Sequence, residues 1–458
     1  MTCVDFSPWV LFVDLGIASG LILLGQLIRA KVRFVQELFL PASLLAGFLG
    51  LAFGPNGLGY LPFSGNIGVY PGILITLVFG ALPLASEKAP FREIFDRVGN
   101  LWAYSQVGMI LQWGIGALFG MFILGGVWKD LNPAFGLMLA SGFAGGHGTA
   151  AAIGAAFKGL GWEDAGTLAM TSATVGVVSA VVGGLILAKW GSRKGYSHFL
   201  TTFDDMPTEL KTGLIPPDRR HPGGFDTVSS ISIDPVAFHL ALIFLASLGG
   251  YYLSKLAGAY IPKVSLPVFS CAFVVGIVMN HVLQGTGAST YVDKKTMGRL
   301  SGTFTDLLVA FGIASIKLPV VIKYALPLAC LFVFGIVYCL FVFSWLTPRI
   351  IRSYWFEKGL FTWGWMTGTM AMGIALLRIV DPELKSKALD DFAFAYLPIA
   401  PVEILVVSFS PVLFVEGKGL YFIGACVAYG LAVWLFAAAK GWFHLKPNEK
   451  KVTLERLS

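Results

Sequence analysis

Long apolar runs alternate with short polar segments along almost the whole chain. A helix that crosses a membrane needs about 20 predominantly apolar residues, and with that length as the criterion the pattern predicts about 11 spans. They lie near residues 8–28, 38–53, 67–84, 101–124, 167–187, 236–257, 266–282, 300–316, 325–346, 392–414 and 420–439. The sequence therefore predicts an all-α polytopic membrane protein.

One apolar segment differs from an ordinary span. Residues 141–157 read SGFAGGHGTAAAIGAAF, so that Gly145, Gly146 and Gly148 surround His147. Glycines let the backbone turn inside the membrane, and the peptide groups freed by such a turn must lie within protein or line a wet cavity. Close helix packing through small residues is the alternative. Because His147 and Thr149 add polar groups to the glycines, the pattern favours a re-entrant hairpin over 135–157 that forms a binding site.

The order of spans repeats after a polar segment at 190–234. A second interrupted stretch, 361–380, follows four spans of the second half, as the first follows four spans of the first half. Within these stretches GTAA at 148–151 corresponds to GTMA at 368–371. We therefore predict two repeats of five helices, each with a re-entrant hairpin, over 1–189 and 235–414. Residues 190–234 form a cytoplasmic loop, and 415–458 add a further transmembrane helix and a basic tail.

The distribution of basic residues predicts the orientation of the chain. Cytoplasmic loops of membrane proteins are enriched in Lys and Arg, and an external N-terminus places 26 of the 33 basic residues inside. This assignment puts Lys211 and Arg219 in the cytoplasm, Gly57 and Lys263 outside, and the C-terminus inside. The two hairpins then enter from opposite faces, so that the repeats are inverted, which is typical of secondary transporters.

Composition excludes several other classes. Of the residues, 56% are hydrophobic and 13% charged, whereas about a quarter are charged in soluble proteins. The net charge of +7 is spread over short loops and does not predict nucleic-acid binding. The five cysteines show no spacing typical of zinc sites, and neither disulfides nor an organic cofactor is expected.

Two rival functions remain open at this stage. Free carbonyl groups of re-entrant loops also build channel filters, but channels gather identical loops around one axis, whereas these two differ in sequence. A membrane enzyme is disfavoured because the chain has no HExxH, GxSxG or GxxxxGK[ST] motif. The same lack of a nucleotide-binding motif argues against ATP as the source of energy for transport.

Several motifs resemble the bacterial sodium/glutamate symporter family. They are GGHGTAA at 145–151, then Ala169, Met170, Ala173, Thr174 and Gly176, and the pair Gly183 and Gly184. Thr367 and Thr369 fall where that family has a paired threonine motif, in a looser match. The resemblance implies a homodimeric carrier of the bacterial inner membrane that moves glutamate or a related anion with sodium, by an elevator-like motion. A proton-coupled carrier of another organic anion is the alternative.

The predicted site combines both hairpin tips. Backbone amides and hydroxyl groups there are expected to hold the anion, because helix ends of positive dipole favour negative charge. The predicted substrate-binding residues are Gly145, Gly146, His147, Gly148, Thr149, Thr367, Gly368 and Thr369. Sodium prefers oxygen ligands, and Thr149, Thr174 and Glu403 are the predicted ones. Glu403 could equally form a structural hydrogen bond between spans, whereas Asp14 and Asp306 are expected to be structural.

Overall fold

A computed structural model describes residues 7–85, 91–199, 208–220, 222–260, 266–382 and 384–447. Within these ranges the chain forms helices and no strand, and the predicted all-α class is confirmed. Lys263, which was predicted to face outside, lies beyond the described residues.

Within the described ranges, ten α-helices form the first half of the fold. They are α1 (Pro8–Lys31), α2 (Arg33–Glu37), α3 (Ala42–Phe53), α4 (Tyr70–Ala85), α5 (Phe91–Leu118), α6 (Gly125–Val127), α7 (Leu137–Gly142), α8 (Gly146–Gly159), α9 (Ala165–Lys194) and α10 (Thr208–Thr212). Ten more follow: α11 (Pro235–Tyr260), α12 (Val268–Gly285), α13 (Lys294–Ala314), α14 (Leu318–Lys323), α15 (Ala325–Phe341), α16 (Thr347–Ile350), α17 (Trp355–Thr367), α18 (Met370–Val380), α19 (Ala388–Val415) and α20 (Gly419–Ala439).

In the described part of the chain, eight helices are long and apolar enough to cross a membrane. The predicted spans near 38–53 and 67–84 correspond to α3 and α4, which have 12 and 16 residues. The span predicted near 300–316 corresponds to α13, whose 21 residues begin with Lys294 and Lys295. A polytopic membrane protein is confirmed, whereas the count of 11 spans stays a prediction.

The helices pack as two bundles. The first bundle consists of α1, α3, α4, α11, α12 and α13, and the second consists of α5, α7, α8, α9, α15, α17, α18, α19 and α20. Within the second bundle, α8 packs along α9, and α17 packs along both α18 and α9. Both interrupted segments of the sequence therefore belong to the same bundle.

Small residues line the boundary between the bundles. A Cβ atom on Gly72 would lie 3.4 Å from Cβ of Ala155, and one on Gly148 would lie 3.3 Å from Cδ1 of Ile75. A directional contact also crosses this boundary, where the buried hydroxyl groups of Ser270 on α12 and Ser408 on α19 lie 2.5 Å apart. The surfaces that meet there are therefore mostly smooth and apolar.

A π-helical piece precedes each interrupted segment. Phe119–Leu124 continues α5 and Val342–Leu346 continues α15, so that both pieces occupy the same place in the order of spans. Single-turn π pieces widen a helix locally and are frequent near functional sites. The ring of Phe119 stacks on Phe334, with 4.1 Å between their centroids, which joins the first piece to α15.

Asp14 is buried in the first bundle, and its carboxylate is fully hydrogen-bonded. Its carboxylate accepts hydrogen bonds from the Ser64 backbone N–H at 2.9 Å, the Ser64 hydroxyl at 2.5 Å and the Tyr70 hydroxyl at 2.8 Å. A buried carboxylate with three donors is satisfied without a cation. These contacts agree with the structural role expected for Asp14.

Candidate functional site

The first interrupted segment consists of α7, a break over residues 143–145, and α8. Gly146 begins α8 with a φ of +61°, in the left-handed region that glycine adopts without strain. A Cβ on Gly142 would meet Ser172 and Ala173 of α9, whereas one on Gly154 would meet Gly166. From the break, α8 thus runs back along α9 toward its start, and the hairpin over 135–157 stays a prediction.

The second interrupted segment consists of α17, the break at Gly368 and Thr369, and α18. A Cβ on Gly364 would lie 2.6 Å from the backbone nitrogen of Gly373, and one on Gly373 would lie 2.5 Å from the carbonyl oxygen of Phe361. The two helices therefore run side by side in opposite directions, at a distance that only glycines permit. We predicted this segment over 361–380, but α17 begins at Trp355. The predicted start was wrong because Glu357 and Lys358 are typical of a loop, whereas both are buried here.

The two breaks meet in the interior of the second bundle. A Cβ on Gly146 would lie 2.7 Å from the carbonyl oxygen of Gly368 and 2.9 Å from Cγ2 of Thr369. Gly176 of α9 lies beside both segments, since its Cβ would lie 2.4 Å from the carbonyl oxygen of Thr367 and 3.3 Å from that of Gly142. Three elements that are distant in sequence thus converge at one point.

Free backbone donors collect at this meeting point. The first N–H groups of a helix have no acceptor within it, and those of Gly146, His147, Gly148, Met370 and Ala371 donate to no described residue. They belong to the N-termini of α8 and α18, where the helix dipole is positive. The arrangement provides several N–H groups and two positive helix ends for one anion.

Free backbone acceptors lie beside Gly176 of α9. The carbonyl groups of Gly142 and Thr367, at the ends of α7 and α17, accept no hydrogen bond from a described residue. Both face Gly176, and the dipole is negative at these helix ends. Such carbonyl groups are suitable ligands for a small cation.

His147 and Thr174 contact each other beside the breaks. His147 Nε2 lies 3.3 Å from Thr174 Oγ1, which itself donates to the Met170 carbonyl at 2.9 Å. Because the hydroxyl proton is directed to Met170, we assign the Nε2 proton to His147, and a lone pair of Thr174 stays available to a cation. Thr149 is buried and lies directly against Gly145, because a Cβ atom on Gly145 would lie only 2.1 Å from Cβ of Thr149.

The hydroxyl groups of Thr367 and Thr369 have partners within their own segment. Thr367 is fully buried and donates to the Trp363 carbonyl at 2.7 Å. Thr369 accepts from the Met372 N–H at 3.3 Å and thereby caps α18. Thr369 therefore orders the N-terminus of α18, and its role in substrate binding stays a prediction.

Glu403 lies on α19, apart from the two breaks. Its Oε2 accepts a hydrogen bond of 2.8 Å from the Tyr396 hydroxyl, and the Tyr396 ring packs edge-on against Trp365 at 6.2 Å. Trp365 precedes Thr367 by two residues on α17. The structure thus connects Glu403 to the second break through an aromatic contact, but it does not place the carboxylate among the residues that meet there.

Sequence reasoning missed Gln112 on α5. Its Nε2 donates to the Met366 carbonyl at 3.4 Å, next to the second break, and its Oε1 has no partner among the described residues. Gln106 is buried on the same helix with both amide atoms unpartnered. A buried amide in a membrane helix is costly unless it has a function. Two glutamines within an apolar span were the signal that could have identified this face of α5.

The bulky residues of α17 and α18 are matched by glycines on α9. A Cβ on Gly183 would lie 2.5 Å from the Trp363 indole, and one on Gly184 would lie 2.3 Å from Leu376. The Trp363 indole N–H donates to the Ala180 carbonyl at 3.1 Å. The two glycines thus create space for the large side chains of the second segment.

A histidine holds the start of α17. The fully buried Glu357 accepts from the His198 backbone N–H at 2.7 Å, and its Oε1 lies 3.0 Å from His198 Nδ1. The hydrogen bond to Glu357 raises the pKa of His198, although partial burial opposes it. The neighbouring ion pair, Lys358 with Asp391 at 2.9 Å, completes the attachment of this helix.

We expect the thermal stability of the protein to depend on the ionisation of His198. A folded-state pKa above the unfolded value of about 6.5 means that protonated His198 stabilises the fold fully below that value. This stabilisation is lost as the pH rises through the folded pKa. The melting temperature of wild type in detergent should therefore fall as the pH rises from about 6.5 through the raised folded-state pKa of His198. His198→Gln should remove most of this fall, and an unchanged pH profile would contradict the assignment.

These features are typical of membrane carriers, in which broken helices meet within a bundle and direct their polar ends at a ligand. The chain matches the family model of the sodium/glutamate symporter over residues 12–354 and belongs to that family. It is a family of transporters that couple glutamate to sodium, not of enzymes, and the resemblance seen in the sequence is confirmed. Comparison with curated proteins returned no match. The second break lies beyond the matched region.

Proposed function

We propose that this protein carries glutamate, or a closely related small anion, together with sodium through the point where the two breaks meet. The observation that carries the proposal is the group of five free N–H donors at the N-termini of α8 and α18. Gly146, Gly368 and Thr369 are in close approach there. A carboxylate that accepts from both helix ends would bridge the two segments.

The coupling ion binds on the carbonyl side of the same point in this proposal. The free carbonyl groups of Gly142 and Thr367, with the hydroxyl of Thr174, supply oxygen ligands of the kind that sodium prefers. Thr149 and Glu403 are further candidates. A shared site gives the simplest linkage, because an ion that orders the breaks alters substrate affinity directly.

Motion of the second bundle against the first is the proposed transport step. Both interrupted segments belong to the second bundle, and its boundary with the first is lined by small residues such as Gly72, Gly148 and Ala155. The matching π-helical pieces before each segment support two related halves. These observations favour an elevator-type carrier built from inverted repeats with re-entrant hairpins.

The cellular setting is also part of the proposal. The charge distribution supports an external N-terminus and a cytoplasmic C-terminus. The family resemblance supports a homodimer in the bacterial inner membrane. Domain limits at 1–189, 190–234, 235–414 and 415–458 are kept as predicted.

Uptake into proteoliposomes tests the function. An inward sodium gradient should drive accumulation of labelled glutamate that saturates with substrate, whereas choline and potassium should not replace sodium. Counterflow with a panel of amino acids and dicarboxylates then identifies the preferred anion. Uptake driven by a proton gradient without sodium would favour the proton-coupled alternative, with His147 and Glu403 as candidate carriers. Single-channel currents would favour a channel.

Thr174→Val should raise the sodium concentration for half-maximal uptake about fivefold, because it keeps the side-chain shape and removes the oxygen. Thr171→Val is a matched control, since Thr171 also donates to the carbonyl four residues earlier, that of Thr167, at 2.8 Å. This control should leave the sodium requirement unchanged. Equal effects of both substitutions would show that Thr174 acts only on helix packing.

A further inference from the structure

A cavity of about 650 Å³ opens between the two bundles. Its walls come from the first bundle, with Thr76 of α4, and from the second, with Ala150 of α8 and Met170 of α9. The volume lies in the range of small-molecule sites, about 300–1,000 Å³. The cavity therefore has room for a small organic anion with water.

The inner end of the cavity lies one helical turn from the first break. Met170 forms part of the wall, and its carbonyl accepts the hydrogen bond of Thr174, the partner of His147. Ala150 lies one turn after Gly146 on α8. A solute in this cavity is thus separated from the breaks by a single turn of two helices.

Three charged side chains line the outer part of the cavity. They are Lys158 at the end of α8, Glu163 before α9, and Lys317 before α14, and all three residues are exposed. Within the described ranges none of the three forms an ion pair. Their charges are consequently available to a solute.

We propose that this cavity is an outer encounter site for an amino dicarboxylate, in which Lys158 and Lys317 attract the two carboxylates and Glu163 attracts the ammonium group. Two cations and one anion complement the charges of such a solute, which carries two carboxylates and one ammonium. Clefts with one predominant sign of charge raise the local concentration of an oppositely charged ligand and its rate of association. The inference rests on the proposed transport function and adds a second site on the access route.

Kinetics of the double variant Lys158→Gln with Lys317→Gln test the lysines. Uptake of glutamate is measured in intact cells of a host without its own glutamate uptake, at constant sodium and low ionic strength with sucrose as osmolyte. The KM should rise on the order of fivefold while Vmax changes less than about twofold, because the lysines act on encounter. Added choline chloride should remove most of the difference, since salt screens exposed charges.

Lys323→Gln is the matched control. Lys323 is a lysine of α14 outside the cavity lining, with its ammonium 4.9 Å from the centre of the Tyr324 ring. This variant should keep the wild-type KM at both ionic strengths. The encounter site is overturned if the double variant has the wild-type KM at low ionic strength, or if it loses only Vmax. In that case sodium-driven uptake by the wild-type protein would still support the proposed transport function. Absence of sodium-driven uptake by wild type itself overturns the proposed function.

Glu163→Gln tests recognition of the ammonium group. Glutarate, which lacks that group, is used as a competitor of glutamate uptake. Removal of the Glu163 charge should lower the ratio of the glutarate inhibition constant to the glutamate KM about threefold, because only glutamate loses an attraction. An unchanged ratio overturns the role of Glu163.

Discussion

Gly146→Val should abolish sodium-driven uptake, with a loss of more than about 100-fold, while the protein still reaches the membrane. The φ of +61° at Gly146 is unfavourable for a β-branched residue. The new side chain would also collide with the Gly368 carbonyl, since even its Cβ would lie 2.7 Å from that oxygen. Both effects separate the two breaks at the point where the substrate is proposed to bind. Initial rates of labelled glutamate uptake, normalised to protein in the membrane, measure the loss.

Gly148→Ala is the control for this variant. It lies two residues further along α8, and its Cβ would meet only the end of the Ile75 side chain, at 3.3 Å, which can rotate away. We expect most uptake to be retained. If Gly146→Val transported normally, the glycines would serve helix packing alone and the site would have to lie elsewhere.

Glu403→Gln should raise the half-saturating sodium concentration about tenfold, which is the second-largest effect that we expect. A buried carboxylate in a membrane helix is costly unless a cation or donors stabilise it, and in the described part of the chain Glu403 has one donor, Tyr396. The amide keeps the shape and removes the charge. Sodium titrations of uptake at saturating glutamate measure the change.

Tyr396→Phe separates the charge of Glu403 from its placement. This variant removes the donor to Glu403 Oε2 and leaves the carboxylate intact, so that we expect less than about a twofold change in the sodium requirement. An equal effect of both variants would assign Glu403 to positioning α17 through Trp365. If Glu403→Gln removed the pH dependence of uptake and left the sodium requirement unchanged, Glu403 would be assigned to a proton pathway.

The lengths of the apolar runs predicted where the helices lie better than where they begin and end. Spans of Leu, Phe and Ala need only be long and apolar, so α1 and α20 were predicted to within a few residues, whereas α9 continues to Lys194, beyond the predicted end near 187. The start of α17 was missed because Glu357 and Lys358 look solvent-exposed until His198 and Asp391 are known to pair with them. Such pairings join residues far apart in sequence, and a single sequence does not reveal them.

The sequence indicated only part of the candidate site, because the rest depends on contacts between residues far apart in the sequence. Glycines around His147 indicated the first break, and His147 and Thr174 are in contact. The match of residues 148–151 with 368–371 does not correspond to equal positions, since Gly148 and Thr149 lie inside α8 whereas Gly368 and Thr369 precede α18. The contribution of Gln112 was missed, because its role depends on the proximity of α5 to Met366.

The Ser270–Ser408 contact has a mechanical consequence if the bundles slide as proposed. A smooth apolar boundary has nearly the same energy at many offsets, but two hydroxyl groups 2.5 Å apart fit at one offset only. The hydrogen bond would then favour one relative position of the two bundles over all others. A hydrogen bond of this kind contributes about 1 kcal/mol. Ser408→Ala would therefore lower the population of that position by only about fivefold. The Ser270–Ser408 hydrogen bond would be strong enough to define a resting position and weak enough to break in every transport cycle.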